Sequence, residues 1–444
     1  LNGKHSHLRA SALARSLLVV DEVHAADYYM SAVLGRVVQR HLDLGGWVLL
    51  MSATLGSAAR EHLLGMPRIP AGAAAALPYP AITAGTRRGT MPSPARVERT
   101  QELRRRVRVD RLAPAGLVAA VAEAVQAGAK VLVLRSTVRD ALDDFTALAA
   151  AGLPMLQAAH AQGGTVPVLH HSRFALPDRH HLDAALLAAL GKKRSDGPVV
   201  VVATQTAEQS LDIDADLLVT DPCPADVLLQ RLGRLHRHAG RKRPAGCEEP
   251  RALVLDPGSL DGFLTEGGET RGRRGFGFPM VYGNLLAVRA TLEAVLDRTL
   301  DLPAQCRPLV EAATHPERLK ALAQAGGPRW LALWRHITGT ELAQTGAGMR
   351  ACLDWDAPFG NRTLEEDVTI LTRIGAARIT IPVRFRSPFG HAVESLDIPE
   401  HLVRGHAGEP ATVRDTATGV ELTLGSRRLV YDHLGLRRPS DTTP

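Results

Sequence analysis

The sequence predicts an α/β protein: two successive units of buried parallel strands flanked by helices, followed by a smaller mixed C-terminal region. Three observations carry that prediction. Runs that are apolar at nearly every position, SLLVVD at 16–21 and VVVVA at 199–203, suit strands buried on both faces of a parallel sheet. Helix-spaced stretches alternate with such runs, as crossover connections require. The 444 residues allow about two to four domains, each large enough to bury a core.

The elements follow in order. Residues 16–21 form a strand ending in acids, Tyr28–Leu42 a helix carrying Met30, Val33, Leu34, Val37 and Val38, and Trp47–Met51 a second buried strand. Residues 69–94, rich in Ala, Gly and Pro, read as a linker. A second unit then opens with a strand at Arg104–Asp110 and a helix at Gly116–Ala127. It continues with a strand at Lys130–Leu134, a helix at Asp140–Ala150, and strands at Pro198–Ala203, Leu217–Thr220 and Ala252–Leu255. Phe263–Phe278 is Gly/Arg-rich and reads as a mobile loop, Leu285–Leu300 as a helix, and Arg378–Phe385 as part of a β-rich tail. The expected boundaries are 1–90, 91–256, 257–300 and 301–444.

Charge adds a mild hint. Lys and Arg number 53 against 46 Asp and Glu, a net +7 that suits a polyanionic partner. No apolar stretch reaches the ~18 residues of a membrane span, and no signal-peptide pattern opens the chain. Cys223, Cys247, Cys306 and Cys352 lie far apart without a C-x-x-C pair, against a disulfide framework or a zinc ribbon. A cytoplasmic protein with no membrane partner is expected.

The chemistry concentrates at strand ends. Asp21-Glu22-Val23-His24 closes the first strand, where α/β sheets bind ligands. The first acid can hold Mg²⁺ on a triphosphate and the second can orient or deprotonate a water. A lone D-E dipeptide is more often a solvated turn, but this one has company. Ser52-Ala53-Thr54 follows the next strand, Thr204-Gln205-Thr206-Ala207-Glu208-Gln209-Ser210-Leu211-Asp212 follows a strand of the second unit, and Gln230-Arg231-Leu232-Gly233-Arg234-Leu235-His236-Arg237-His238 follows another. Arginines three apart on one helix face can both reach a phosphate across a cleft.

These motifs in this order resemble the superfamily 2 helicases, in which two RecA-like domains hold ATP between them. TQTAEQSLDIDADLLVTD at 204–221 and QRLGRLHRH at 230–238 are similar to the CRISPR-associated helicase of type I interference systems. So are His171-Ser172-Arg173-Phe174 with Asp178-Arg179, Tyr282-Gly283-Asn284 and Thr372-Arg373-Ile374-Gly375. The resemblance implies a remnant of one RecA-like domain, a complete second one and a C-terminal accessory domain. It implies an ATP-dependent motor on single-stranded DNA, recruited by a guide-RNA surveillance complex in antiviral defence. By the same resemblance Asp21 would bind Mg²⁺ through water, Glu22 would be the catalytic base, His24 would couple the first domain to the second across the cleft, and Ser52 and Thr54 would link hydrolysis to strand movement. Asp212 would meet the nucleotide sugar, Gln230 the γ-phosphate or its water, and Arg234 and Arg237 would act as arginine fingers. Ser136, Thr137, Arg173, Thr204, Gln205 and Glu208 would lie near the DNA backbone, reading no sequence.

Two family features are missing from these residues. There is no G-x-x-x-x-G-K-[ST] phosphate loop; Gly3-Lys4-His5 and Gly191-Lys192-Lys193 both lack its hydroxyl residue. None of the eighteen histidines precedes an Asp, as the family's nuclease half requires, and His170-His171 and His180-His181 read as solvated pairs rather than metal ligands. The expectation is a C-terminal piece, inactive without an N-terminal helicase/nuclease portion and exposing an apolar sheet edge. The competing readings are a non-hydrolysing nucleic-acid-binding scaffold and a generic DExH RNA helicase. Trp330, Trp334 and Trp355 could stack on bases, but buried core is their expected role.

Overall fold

The computed structural model describes residues 6–25, 27–86, 94–97, 104–208, 211–354, 378–406 and 410–439. Trp355 and the Thr372–Gly375 motif lie outside them, as do Gln209 and Ser210.

After a short helix, α1 (Ser6–Leu13), the first unit pairs β1 (Leu17–Val20) in parallel with β2 (Trp47–Leu50), with α2 (Tyr28–Asp43) as the crossover. Asp27 caps α2 by accepting from the Met30 amide at 2.8 Å, which fixes the start of the helix. Both strands alternate between exposed and half-buried positions, leaving Leu17, Val19, Trp47 and Leu49 in solvent. The expected apolar edge is thus an apolar face. Two further helices, α3 (Ser57–Leu64) and α4 (Ala71–Ala75), and the β3–β4 pair (Ala81–Ile82 with Ala95–Arg96) follow. The stretch expected as linker is therefore partly built. Ala74 is fully buried, and the Ile69 carbonyl and Ala71 amide are bound by His315 and Glu317.

The second unit holds the main core. Its strands are β5 (Arg105–Leu112), β6 (Lys130–Leu134), β9 (Val199–Ala203), β10 (Leu217–Thr220), β11 (Arg251–Leu255) and β12 (Arg298–Leu302), with β7 (Gln157–Ala159) and β8 (Thr165–Pro167) forming a separate hairpin. The sheet order is β12-β5-β11-β10-β6-β9, parallel except for β12 on the edge. β6 and β10 are buried at every position, as expected for a sheet covered on both faces. Helices α5 (Leu117–Gln126), α6 (Val138–Ala150), α7 (Leu176–Leu190), α8 (Ala225–Leu232) and α9 (Leu285–Val295) flank it. The helix expected over Leu285–Leu300 stops at Val295. Asp297 turns the chain with φ 59°, and Arg298–Leu302 leaves the helix to pair antiparallel with β5.

The Phe263–Phe278 stretch is anchored rather than loose. Phe263 and Phe278 are fully buried, and the Gly277 amide donates to Asp140 at 2.7 Å. A Cβ on Gly277 would stand 2.4 Å from Thr137 Cγ2, so this approach needs glycine.

Helices α10 (Cys306–Thr314), α11 (Pro316–Gly326) and α12 (Pro328–Arg350) carry the first unit. Glu311, buried, accepts both the amide and the hydroxyl of Ser57 at 2.8 Å. A Cβ at Gly348 of α12 would lie 2.7 Å from the Tyr29 carbonyl of α2. Trp330 is buried core and Trp334 packs against it. The C-terminal region adds the hairpin β13 (Arg378–Arg386) with β14 (Ala392–Pro399) and the antiparallel sheet β15 (Thr412–Asp415), β16 (Gly419–Leu424), β17 (Arg427–Asp432) and β18 (Gly435–Arg437). Among the described residues no helix is long and apolar enough to cross a membrane.

Candidate active site

The two sheets bring their strand ends to one cleft. From the first unit, Asp21 and Glu22 leave β1 exposed, with the Asp21 carboxylate accepting the Glu22 amide at 2.8 Å. Glu22 holds a left-handed backbone (φ 54°), a costly conformation for a non-glycine residue that turns the chain sharply after the strand. The Val23 amide then returns to the Met51 carbonyl at 3.1 Å, tying the acidic turn to the end of β2.

His24 joins the parts. Its Nδ1 lies 2.8 Å from Ser52 Oγ and 3.3 Å from the Glu22 carboxylate, while its Nε2 meets the Gln230 side-chain amide of the second unit at 2.6 Å. The arrangement assigns the proton to Nδ1, leaving Nε2 to accept from Gln230. Thr54 is buried beside this group, its amide 3.3 Å from Ser52 Oγ.

From the second unit, α8 carries Gln230 and ends at Leu232. Arg234 and Arg237 therefore sit in the turn beyond it and not on one helix face, because His236 adopts φ 47° and Leu235 bridges to Ala215. Arg234 donates to the Leu211 carbonyl at 2.5 Å and to the Glu208 carbonyl. Burial, then the charge of Arg237, pulls its pKa down, while Glu22 across the cleft pushes it up; a guanidinium nonetheless stays charged at any ordinary pH. Arg237 Nε lies 2.6 Å from Asp212, an exposed pair whose carboxylate also faces His238 at 3.1 Å. Hydrogen bonds from His238 and Arg237 lower the Asp212 pKa against its partial desolvation.

The residues expected at nucleic acid separate into two groups. Ser136 and Gln205 are joined, since Gln205 Nε2 donates to the Ser136 carbonyl at 2.8 Å, and Thr137 caps α6 beside them. The Ser136 amide donates to buried Asp221 at 2.6 Å, and the Thr204 amide donates to the His170 carbonyl at 2.9 Å. Arg173 is half-buried in the loop before α7. Glu208 turns inward instead and accepts from Arg231 at 2.7 Å.

Arg231 is the residue the sequence reading passed over. It is fully buried and donates to Glu208, to Thr220 Oγ1 at 2.6 Å and to the Tyr282 hydroxyl at 2.9 Å. It thereby ties the α8 end to the β9 and β10 ends and to the Tyr282 motif. Its position directly after Gln230 within the QRLGR motif was the available signal.

The second buried feature is His171. Its Nδ1 accepts from the Arg173 amide at 3.1 Å while Nε2 donates to the Leu434 carbonyl at 3.0 Å, so the neutral ring uses both nitrogens. Burial first, then Arg173, pulls its pKa down to about 3. A histidine depressed below its unfolded value leaves stability untouched above about pH 6.5 and removes it progressively as pH falls toward 3. Unfolding by denaturant at pH 7 and pH 5 is expected to show a loss of about 2 kcal/mol at the lower pH. His171→Gln should flatten that dependence; an unchanged slope would mean that another group titrates.

The family model for the C-terminal part of the CRISPR-associated nuclease/helicase Cas3 matches residues 127–240, from the end of α5 through the finger segment. The CRISPR-associated endonuclease/helicase Cas3 of Escherichia coli is 35% identical over 264 residues, which are 57% of this chain and 29% of that protein. The nuclease/helicase Cas3 of Streptococcus thermophilus is 32% identical over 330 residues, 70% of this chain and 32% of that one. Among solved structures, a CRISPR-associated protein superposes with a TM-score of 0.76 at 25% identity, covering 99% of this chain and 53% of its own. T. fusca Cas3 with AMPPNP superposes with a TM-score of 0.74 at 22% identity, covering 98% and 55%. The chain thus spans about a third of the length of the curated relatives it matches. Over residues 127–240 it carries the domain of the family model for the C-terminal part of Cas3, and along most of its length it is similar to part of the CRISPR-associated nuclease/helicases Cas3.

Proposed function

We propose that this chain is the C-terminal motor module of an ATP-dependent single-stranded-DNA translocase acting in type I CRISPR interference. The carrying observation is the cleft itself: exposed carboxylates Asp21 and Glu22 on one unit, Gln230, Arg234 and Arg237 on the other, and His24 spanning the 2.6 Å to Gln230. Carboxylates on one wall and guanidiniums on the other match the two charges of a magnesium–triphosphate. Bound there, the nucleotide supplies the phosphoryl group whose loss drives movement.

The chain's own residues then divide the work. Asp21 holds the ion, and Glu22 accepts a proton from the attacking water. Gln230 orients that water, with its amide fixed by His24. Arg234 and Arg237 neutralise charge developing on the transferred group. Asp212 faces the sugar, and Ser52 and Thr54 pass the change to the β2 end. Ser136, Thr137, Thr204, Gln205 and Arg173 line the path of single-stranded DNA, with Glu208 acting from behind through Arg231. The likeness to T. fusca Cas3, crystallised with AMPPNP, ADP and ATP, supports a nucleotide at this cleft. A solved guide-RNA surveillance complex in a pre-nicking state, TM-score 0.69, supports that partner.

The 444 residues contain no phosphate loop, so turnover needs that loop from an additional segment. The 444-residue chain assayed alone should release phosphate negligibly, and a polypeptide carrying the loop should restore release in the presence of single-stranded DNA. Within that reconstituted pair, Glu22→Gln is expected to trap unhydrolysed ATP. A trapped-nucleotide level equal to wild type would favour the non-hydrolysing scaffold, and stimulation by RNA but not DNA would favour an RNA helicase.

A further inference from the structure

The loop that carries Arg173 is held from two sides. On the parallel-sheet side, the His170 amide donates to Val202 at 2.9 Å, and its ring reaches Thr206 Oγ1 at 2.8 Å and Asp183 at 2.7 Å. On the other side the C-terminal region supplies the holds that follow. The Leu436 amide donates to the Arg173 carbonyl at 2.9 Å, His171 donates to Leu434, and the Arg378 guanidinium reaches the Ser172 carbonyl at 3.3 Å. The Ala175 amide donates to the Tyr431 hydroxyl at 2.9 Å.

That last contact belongs to a built node. Tyr431 is fully buried, and its hydroxyl, while accepting from Ala175, donates to Asp178 at the start of α7. Asp178 has no exposure and also takes Ser387 Oγ at 2.7 Å and His391 Nδ1 at 2.7 Å. A buried carboxylate is tolerated only with such a full set of donors, so α7, the β13–β14 turn and β17 have one relative placement. Phe174 packs edge-on against Tyr431 with centroids 6.3 Å apart. Gly435 completes the fit: it has φ 79°, and a Cβ there would stand 2.6 Å from the His171 ring and 3.2 Å from the Arg173 carbonyl.

We propose that the C-terminal sheet is the device that sets the DNA-contacting loop, with Tyr431 and Asp178 as positioning residues for Arg173. This rests on the reading of Arg173 as a backbone-phosphate contact. The hydroxyl of Tyr431 is the relay: it fixes the amide two residues beyond Arg173 while being fixed itself by a carboxylate that three elements share. The C-terminal region thereby decides whether the loop presents its cation to the strand, and any partner that shifts β17 or β18 alters grip on the strand without touching the nucleotide cleft.

The test measures binding of a fluorescent oligothymidylate to the full 444-residue chain across a salt series. Arg173→Ala is expected to weaken binding about tenfold and to reduce the salt slope by about one. Tyr431→Phe, which removes one oxygen and keeps the ring, should do the same, and the double variant should be no weaker than Arg173→Ala alone, because the two act as one unit. Gly435→Ala provides a second route to the same loss should Tyr431→Phe fail to fold, while Thr412→Ala, exposed on β15 and outside the Asp178 node, should keep the wild-type slope. Wild-type affinity and slope in both Tyr431→Phe and Gly435→Ala, beside a weakened Arg173→Ala, would overturn the positioning role and leave the strand contact standing, as would additive losses in the double variant. Absence of DNA binding by the wild-type chain, or an Arg173→Ala variant that binds normally, would overturn the contact itself.

Discussion

Arg231→Met is expected to cost about 3–5 kcal/mol of stability, because it leaves the Glu208 carboxylate buried without its counter-charge. Glu208 is 6% exposed and cannot recover the loss by turning to water. Thr220 and Tyr282 lose the same donor. Adding Glu208→Gln removes the stranded charge and should return much of the stability, since a buried ion pair is worth little more than a well-packed neutral pair. Function should not return with it. The guanidinium orders the segment that carries Arg234, whose own hold runs to the Glu208 and Leu211 carbonyls. Denaturant unfolding of the single and double variants checks the first statement. A single variant as stable as wild type would show that Glu208 is protonated or reaches solvent.

Under the proposed function, loss of Arg234 or Arg237 is the second large effect, and it falls on turnover rather than on folding. Arg234→Ala and Arg237→Ala should each lower phosphate release about 10³-fold or more once a phosphate-loop segment and single-stranded DNA are supplied, with nucleotide affinity changed far less. The two start from different holds. Arg234 is half-buried on two carbonyls, whereas Arg237 pairs in solvent with Asp212. An exposed pair of that kind is worth about 0–1 kcal/mol, so Arg237 can leave Asp212 cheaply when phosphate arrives. Asp212→Asn should accordingly change turnover by less than tenfold. Single-turnover phosphate release separates the cases. Full activity in Arg237→Ala would reduce that residue to a partner of Asp212.

Much of this was legible in the sequence, for a definable reason. Strands β1, β2, β6, β9 and β10 are continuous apolar runs, and the acids, hydroxyls and arginines follow them directly, so local pattern and cleft coincide. What escaped was whatever depends on distant residues. The end of the α9 helix was misjudged because Arg298–Leu302 has helix-compatible residues, and only the free edge of β5 selects a strand. The 263–278 loop was read as mobile from its Gly and Arg content, yet Asp140, 137 residues before Gly277, holds it. Glu208 was grouped with the DNA residues because its neighbours are; its buried partner lies twenty-three residues on. Arg234 and Arg237 were spaced for a helix, but the left-handed His236 ends that geometry.

The open face of the β1–β2 pair carries a consequence of its own. Burial is graded along the molecule: β6 and β10 are sealed on both sides, while β1 and β2 alternate exposed and half-buried positions and, among the described residues, pair with each other alone. The acids thus ride on the more easily opened sheet and the arginines on the more permanent one. The wall bearing Asp21 and Glu22 is therefore the one expected to open first, and the His24–Gln230 contact is the latch that registers whether the two walls are in step.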